Sequence, residues 1–360
     1  MNPICVVFAD AFSCDCYKKL SHRLTNLNFY RLTPGMGYSS NLHYQIFEGK
    51  SPDDMDFFSD FAYDKKIKST TCNKIGAFLD RTRPVNDLYR YFYRRVTKIH
   101  DNIPFCERNA FFHKGTYKFM KNEDCYVFDR KCVKAYEKSV QESFSKAWEY
   151  LNNNEKDIVV VLEELDRQGH VVGSSGKSYV DAAELIVMES QKLFSQFKKK
   201  YPDGNVVLIS DHGMSPVYAG VNVYDVVYRE IGKPGKDFFF FCDSIYLRFW
   251  AKSTDRIEKI KTVMKKLSVL DFVDSETRKK FGTLNTEFGD LIYRIKEGYT
   301  FDPNCFGITG HSICAGLHGY MEHTDSASGI IVTDFDLSSN SDIGANEIFS
   351  RIVKVGGNHV

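Results

Sequence analysis

Apolar positions along this chain fall into two patterns. Continuous apolar runs stand at 4–9, 158–162, 206–209 and 329–333, each the length of a strand. The runs at 158–162 and 206–209 lack polar residues at alternate positions, which predicts strands buried on both faces. Helical spacing appears between the runs. Ala182, Leu185, Ile186, Glu189, Leu193 and Phe197 recur at near-helical intervals and predict a helix over 178–200, whose Lys198-Lys199-Lys200 end suits a carboxyl terminus. Shorter helices are predicted at 17–24, 255–267 and 344–353, and a strand at 291–295. A Pro34-Gly35-Met36-Gly37 turn leads into a helical segment through Ile46 and Phe47, which Gly49 and Pro52 close. The alternation of strands and helices predicts an α/β fold, a mostly parallel sheet sandwiched by helices.

Residues 53–153 depart from this pattern. They are rich in aromatic and basic residues, among them Phe57, Phe58, Phe61, Tyr63, Tyr89, Tyr91, Phe92 and Tyr93, and their periodicity is weak. An inserted cap over a core made of 1–52 and 154–360 accounts for this most simply. A second stretch outside the core pattern runs over 237–300.

Composition narrows the function classes. Lys plus Arg number 48 against 47 for Asp plus Glu, a net charge of +1 that offers no basic excess for a nucleic-acid backbone. No run reaches the roughly 18 apolar residues of a membrane span. No charged region followed by an apolar core and cleavage site stands at the amino terminus, so a cytoplasmic protein with ten reduced cysteines is expected. Cys14-x-Cys16 has no companion Cys/His pair at finger spacing and is not read as a zinc clip.

The chemistry gathers where strands end, the place where open α/β sheets bind ligands. Asp10 comes after the first run; Asp166 and His170 after the second; Ser210-Asp211-His212-Gly213-Met214 after the third; and Gly316-Leu-His318-Gly-Tyr320 stands later. Taken singly, an Asp after a strand is a turn or cap residue, and a lone His is an ordinary one. Asp211-His212 is harder to dismiss, because a charged pair between an apolar strand and a glycine needs a compensating partner if buried. Carboxylates and imidazoles recurring at one end of a sheet are how a first-row metal site is assembled from distant segments.

This set resembles the alkaline phosphatase superfamily, and within it the type I phosphodiesterase/nucleotide pyrophosphatase branch. Ser39-Ser-Asn-Leu-His-Tyr-Gln-Ile-Phe-Glu-Gly49-Lys-Ser-Pro52 resembles the nucleophile block, with a hydroxyl residue ten positions before a Gly. Asp166-Arg-Gln-Gly169-His170-Val-Val-Gly173, Asp211-His212-Gly213-Met214 and His318-Gly319-Tyr320 resemble the later blocks, in the family's order. The resemblance implies an alkaline phosphatase-like core and two divalent metal ions, zinc first and manganese second. By position, Asp166, His170 and His318 would hold one ion; Asp10, Asp211 and His212 would hold the other, with Ser39 completing its shell as nucleophile. A metal-activated serine would attack phosphorus and form a seryl-phosphate-type intermediate.

Departures matter as well. Ser40 adjoins Ser39, and only the spacing to Gly49 favours Ser39. The branch often carries Asn three residues after the nucleophile; here that position is Leu42, and Asn41 either takes over phosphoryl binding or makes a turn. His43 is read as structural, and His311 and His323 are not read as ligands. The Pro and Arg that a sulfatase needs two and four positions after its nucleophile are absent. The preferred substrate is a small phosphodiester or nucleotide pyrophosphate, such as a nucleotide or nucleotide-sugar. A phosphomonoesterase or phosphoryl transferase is the alternative within the superfamily. An inactive, metal-stabilised binding protein is the alternative of another class, disfavoured by the complete ligand set.

Overall fold

The four apolar runs become neighbours at the centre of one eight-stranded sheet. The structure is a computed structural model, and it describes residues 2–59, 61–63, 111–113, 125–234, 237–302, 304, 313–321, 323–337 and 341–357. Across the sheet the strands run Asp342–Gly344, Asn28–Thr33, Gly329–Thr333, Asn205–Ile209, Ile4–Ala9, Asp157–Leu162, Arg130–Ala135 and Cys125–Val127. Strand Ile4–Ala9 is parallel to both its neighbours, with Ile4 opposite Asp157 and Asn205 and Phe8 opposite Val161 and Ile209. Gly329–Thr333 runs antiparallel to its two neighbours. The sheet is therefore mixed and mostly parallel, as the alternation of strands and helices implies.

Because successive side chains point to opposite faces, each central strand feeds two apolar layers. Cys5, Val7, Val160 and Leu208 face one layer, which helix Lys177–Lys200 covers through Ala183, Ile186, Leu193 and Phe197. Val6, Phe8, Val159 and Ile209 face the other, covered by helices Ser39–Glu48 and Ala345–Gly357 through Leu42, Ile46, Phe47, Ile348 and Ile352. The buried stripe of the long helix differs from the expected one. Ala182, Leu185 and Glu189 are half-buried, while Tyr179, Val187, Ser190 and Phe194 are buried. Tyr179 sets the helix rotation, because its hydroxyl donates to Ala11 O at 2.5 Å and accepts from Ser13 N at 3.0 Å.

The chain divides into two compact units, Met1–Met55 with Thr116–Pro216 and Cys314–Val360, and Asp56–Gly115 with Val217–Ile313. This differs from an insertion over 53–153. Residues 64–110 and 114–124 lie outside the described residues. Cys125–Val127 and Arg130–Ala135, however, form a hairpin that joins the main sheet through Val133–Ala135 opposite Ile158–Val160. Its two-residue turn, Phe128-Asp129, has φ of 53° and 61°, the left-handed geometry such hairpins require. Arg130, Lys131 and Lys134 mask this strand in the sequence; Arg130 is nonetheless buried, donating to Asn2 O and to Asp157 Oδ1. Helix Val140–Asn152 comes next, capped by Ser139 accepting from Glu142 N.

The second unit is built on an antiparallel sheet ordered Phe238–Cys242, Tyr246–Ala251, Leu291–Ile295 and Leu270–Phe272. Arg248 lies buried inside it, its guanidinium 5.0–5.4 Å from the rings of Phe241, Phe58 and Trp250, and it donates to Ser59 Oγ at 3.1 Å. Among the described residues no helix is long and apolar enough to cross a membrane.

Candidate active site

The common register of Ile4–Ala9, Asp157–Leu162 and Asn205–Ile209 ends the three strands at one level. The residues just beyond them in the chain are therefore brought together in space. Asp10 comes directly after the first strand, and Asp211 and His212 come one residue after the third. Helix Glu164–Val172 starts just beyond the second and carries Asp166 and His170 four residues apart, on one face. His318 adjoins the short strand Gly316–Leu317, which pairs with Ser215–Pro216. Ser39 opens helix Ser39–Glu48.

The loops are shaped for this meeting. Ala11 adopts φ 61°, a conformation that costs a non-glycine residue of order 1 kcal/mol, and so turns the chain sharply after Asp10. Its N–H then lies 3.5 Å from Asp211 Oδ1, and Phe12 N donates to Ser210 Oγ at 2.8 Å. Gly213 packs so tightly that a Cβ there would stand 2.1 Å from Ser326 O. Its N–H donates to Ala327 O at 2.9 Å, and no larger residue fits that approach.

Seven groups converge at this end of the sheet. Ser39 Oγ is 2.7 Å from His212 Nε2, which lies 3.3 Å from Asp211 Oδ2 and 3.5 Å from Asp10 Oδ1. Asp166 Oδ1 faces His170 Nε2 at 3.3 Å and His318 Nε2 at 3.4 Å. The rings of His212 and His318 stack at 3.9 Å and within 2° of parallel. Two imidazoles have their orientation fixed by backbone. His170 Nδ1–H donates to Gly316 O at 3.0 Å, and His212 Nδ1–H donates to Gly213 O at 2.9 Å, so each turns its Nε2 inward.

The carboxylates are the unusual feature. Asp10 Oδ1, Asp166 Oδ1 and Asp211 Oδ2 are closed off from solvent and accept no hydrogen bond. The imidazole nitrogens near them stand 3.3–3.5 Å away, long for hydrogen bonds. Burial, then the charges of Asp211 and Asp166, pushes the Asp10 carboxyl well above the usual range. Burial acts the same way on Asp166, but the polar contact with His170 and the charge of His318 outweigh it, pulling Asp166 down to about 2. Asp211 is likewise lowered, burial being overcome by His212 and His43. Burial alone would lower His170; the Asp166 carboxylate, with Cys314 and Gly316 O, pushes it up to about 10. Burial and the neighbouring His212 hold His318 well below its usual value.

Three carboxylates, three imidazoles and a hydroxyl form a mixed oxygen and nitrogen donor set of the kind that suits zinc. Asp166, His212 and His318 offer atoms all within 4.8 Å of one another, as do Asp10, His43 and Asp211. These groupings cut across the division implied by the resemblance, because His212 falls with Asp166 and His318 rather than with Asp10 and Asp211. Beside Asp10 and Asp166 opens a cleft of about 310 Å³ lined by Tyr136, Ser139, Glu163 and Arg167.

The remaining sequence candidates are placed differently. Asn41 is wholly buried, donates from Nδ2 to Met36 O at 3.2 Å, and packs where a Cβ on Gly37 (φ 132°) would fall 2.0 Å from it. This supports the loop before the nucleophile helix, the turn role that the sequence allowed for Asn41 beside phosphoryl binding. His323 is exposed and outside both groupings, and His311 lies outside the described residues. His43, read from sequence as structural, stands 3.3 Å from Asp211 Oδ2. The signal for it is its spacing, one turn after Ser39 on the same helix face.

Comparison with known proteins adds two findings. The family model for type I phosphodiesterase/nucleotide pyrophosphatase matches residues 58–288. That span holds Asp166, His170, Asp211 and His212, while Asp10, Ser39 and His318 lie beyond its ends. No curated protein matches the chain. Among solved structures, an inactive variant of murine ectonucleotide pyrophosphatase/phosphodiesterase 5 in complex with AMP aligns at TM-score 0.64 and 14% identity, covering 99% of this chain and 95% of the other. A second structure of that murine protein aligns at TM-score 0.61 and 14% identity, covering 98% and 95%. At this identity the likeness is one of fold.

Proposed function

The chain belongs to the type I phosphodiesterase/nucleotide pyrophosphatase family and is a hydrolase of that class, and from this premise we propose a two-metal enzyme that cleaves a small nucleotide diester or pyrophosphate through a covalent intermediate on Ser39. One observation carries the reading. Three buried carboxylate oxygens accept no hydrogen bond, and they stand at the inward Nε2 atoms of His170, His212 and His318. Burying anionic oxygens without partners is costly unless a cation answers them, and this donor set fits two divalent ions, zinc before manganese. Asp166, His170 and His318 would hold one; Asp10, Asp211, His212 and the Ser39 hydroxyl would hold the other. Ions in such a site lower the pKa of a bound hydroxyl and offset charge developing on the attacking and leaving oxygens.

The chain's own residues account for the rest. Ser39 is the first residue of a ten-residue helix, so its oxygen sits where free N–H groups and the helix dipole favour negative charge. His212 Nε2 stands at the Ser39 hydroxyl, held in place by Nδ1–H on Gly213 O. Ser39 Oγ attacks phosphorus, the bond from phosphorus to the leaving oxygen breaks, and a seryl phosphoester remains. Water then attacks the same phosphorus, restoring the Ser39 hydroxyl and releasing the phosphorylated product. The polar cleft beside Asp10 and Asp166 suits a hydroxyl-bearing group on the substrate. The AMP held by the murine structure supports a nucleotide moiety here.

The test is hydrolysis of bis-p-nitrophenyl phosphate against p-nitrophenyl phosphate by wild type and Ser39→Ala, before and after chelation and zinc restoration. Wild type should prefer the diester, and its turnover should fall at least about a thousandfold in Ser39→Ala, with both ions retained. Monoester preference would move the assignment to a phosphatase, and zinc binding without turnover of any phosphoester would leave a binding protein.

A further inference from the structure

His43 belongs to the nucleophile helix and points at Asp211, in the half of the site that Ser39 also serves. Its ring is buried, edge-on to Phe8 at 4.9 Å and tilted against Phe47 at 6.2 Å, so its rotation is fixed by apolar packing on both sides. In that pose Nε2 lies 3.3 Å from Asp211 Oδ2. Asp211 is itself wholly buried. Its other oxygen, Oδ1, is approached by the backbone N–H of His212 at 3.1 Å and of Ala11 at 3.5 Å. One carboxylate oxygen is thus set by the turns after two strands, and the other is faced by a side chain from the helix that carries Ser39. Ser39 and His43 are four residues apart, on one face of that helix.

We propose that His43 is a positioning residue: its Nε2, which faces Asp211 Oδ2 at 3.3 Å in the ion-free site, becomes an Nε2–H donor to Asp211 once an ion is held, orients that carboxylate, and locks the nucleophile helix in register with the Asp211-His212 pair. A plain packing residue would place an aliphatic or aromatic side chain between Phe8 and Phe47. An imidazole aimed at a buried carboxylate does more, because it fixes which lone pairs of Asp211 remain for the ion that Asp211 would hold. Groups that orient ligands in this way are worth about 10–100-fold in metal affinity or activity. The helix is thereby tied to the site at two points, through Ser39 Oγ on His212 and through His43 on Asp211. The inference rests on the two-metal reading of the site.

The experiment compares wild type, His43→Leu and His43→Gln. Zinc affinity is measured by competition with a chromogenic chelator, kcat and KM with bis-p-nitrophenyl phosphate at saturating zinc, and folding by near-ultraviolet circular dichroism. His43→Leu keeps the volume and loses the donor. It should bind one of its two ions about 10–100-fold more weakly and lose a similar factor in kcat, with KM little changed. His43→Gln, which can still donate, should recover most of both. A measurement on the unaltered protein stands beside the variants: nitrogen NMR of the zinc-loaded wild type should find the His43 proton on Nε2. A proton on Nδ1 with Nε2 bare overturns the proposal, as does a folded His43→Leu with wild-type affinity and kcat. Failure of the two-metal reading shows itself separately, as a wild type that binds no zinc, and takes the inference with it.

Discussion

Each unit of this protein holds a cluster built around buried charge, and the two clusters answer it in opposite ways. In the second unit the largely buried Arg278 directs Nε, one Nη and the other at three carbonyls, those of Thr283 at 2.8 Å, Gly289 at 3.0 Å and Asn285 at 3.1 Å. Every arm of the guanidinium meets an oxygen of the chain, so the charge serves as a staple for the loop over 281–289. In the first unit, Asp10, Asp166 and Asp211 each keep a buried oxygen that accepts no hydrogen bond, and Asp10 is held well above the usual carboxylate range by burial and by its carboxylate neighbours. Like charges packed this closely oppose folding unless something outside the chain answers them. At Arg278 the chain itself answers the charge, whereas at Asp10, Asp166 and Asp211 three carboxylates from separate segments wait together beside imidazoles, and that convergence is what marks a ligand.

The largest break in that comparison should come from removing ions. Chelation of the zinc-loaded protein is expected to abolish diester hydrolysis and to lower the midpoint of thermal unfolding. An ion present at a thousand times its Kd contributes about 4 kcal/mol, which is of order 10 °C for a unit of this size. Differential scanning fluorimetry with zinc added back in steps reads the effect directly. An unchanged midpoint with and without ions would mean that the carboxylates are answered some other way.

How much of this was legible in the sequence depends on how each segment is buried. Strands Ile4–Ala9, Asp157–Leu162, Asn205–Ile209 and Gly329–Thr333 are central, lie between two apolar layers, and show their burial as unbroken apolar runs. Asn28–Thr33 and Arg130–Ala135 lie farther out, with burial at only some positions, and their Asn, Arg and Lys residues hide them. The chemistry was legible for the same reason, since strands that end in register gather the residues that come next in the chain. Its fine structure was not. Nothing in the spacing shows that Gly316 O and Gly213 O fix the tautomers of His170 and His212, or that Asn41 is committed to Met36 O. Those facts depend on backbone atoms brought from distant turns.

A change in the second unit sharpens the comparison from the other side. Arg278→Met keeps the bulk of the side chain and strands three carbonyls, so it should cost about 2–4 kcal/mol of stability. Zinc stoichiometry and affinity, measured by the same chelator competition, should not move. Loss of an ion on Arg278→Met would show that its charge is not confined to a structural role.

The smallest effect concerns protons. In the ion-free protein His170 is pushed up to about 10, chiefly against burial by the Asp166 carboxylate, so it is charged at neutral pH. A cation and a proton then compete for Nε2, because Nδ1–H is committed to Gly316 O. Zinc binding at neutral pH should release at least one proton, and the number should fall as pH rises through about 10. Calorimetry in two buffers of different ionisation enthalpy counts it. The sign for stability comes from the same raised pKa. His170 stabilises the ion-free fold fully below the ordinary imidazole value near 6.5 and loses that contribution as pH climbs through about 10. Across that window the ion-free wild type should therefore lose more thermal stability than ion-free His170→Asn. Equal losses would mean that Asp166 and His170 do not form a charged pair, and that the site holds its imidazoles neutral before any ion arrives.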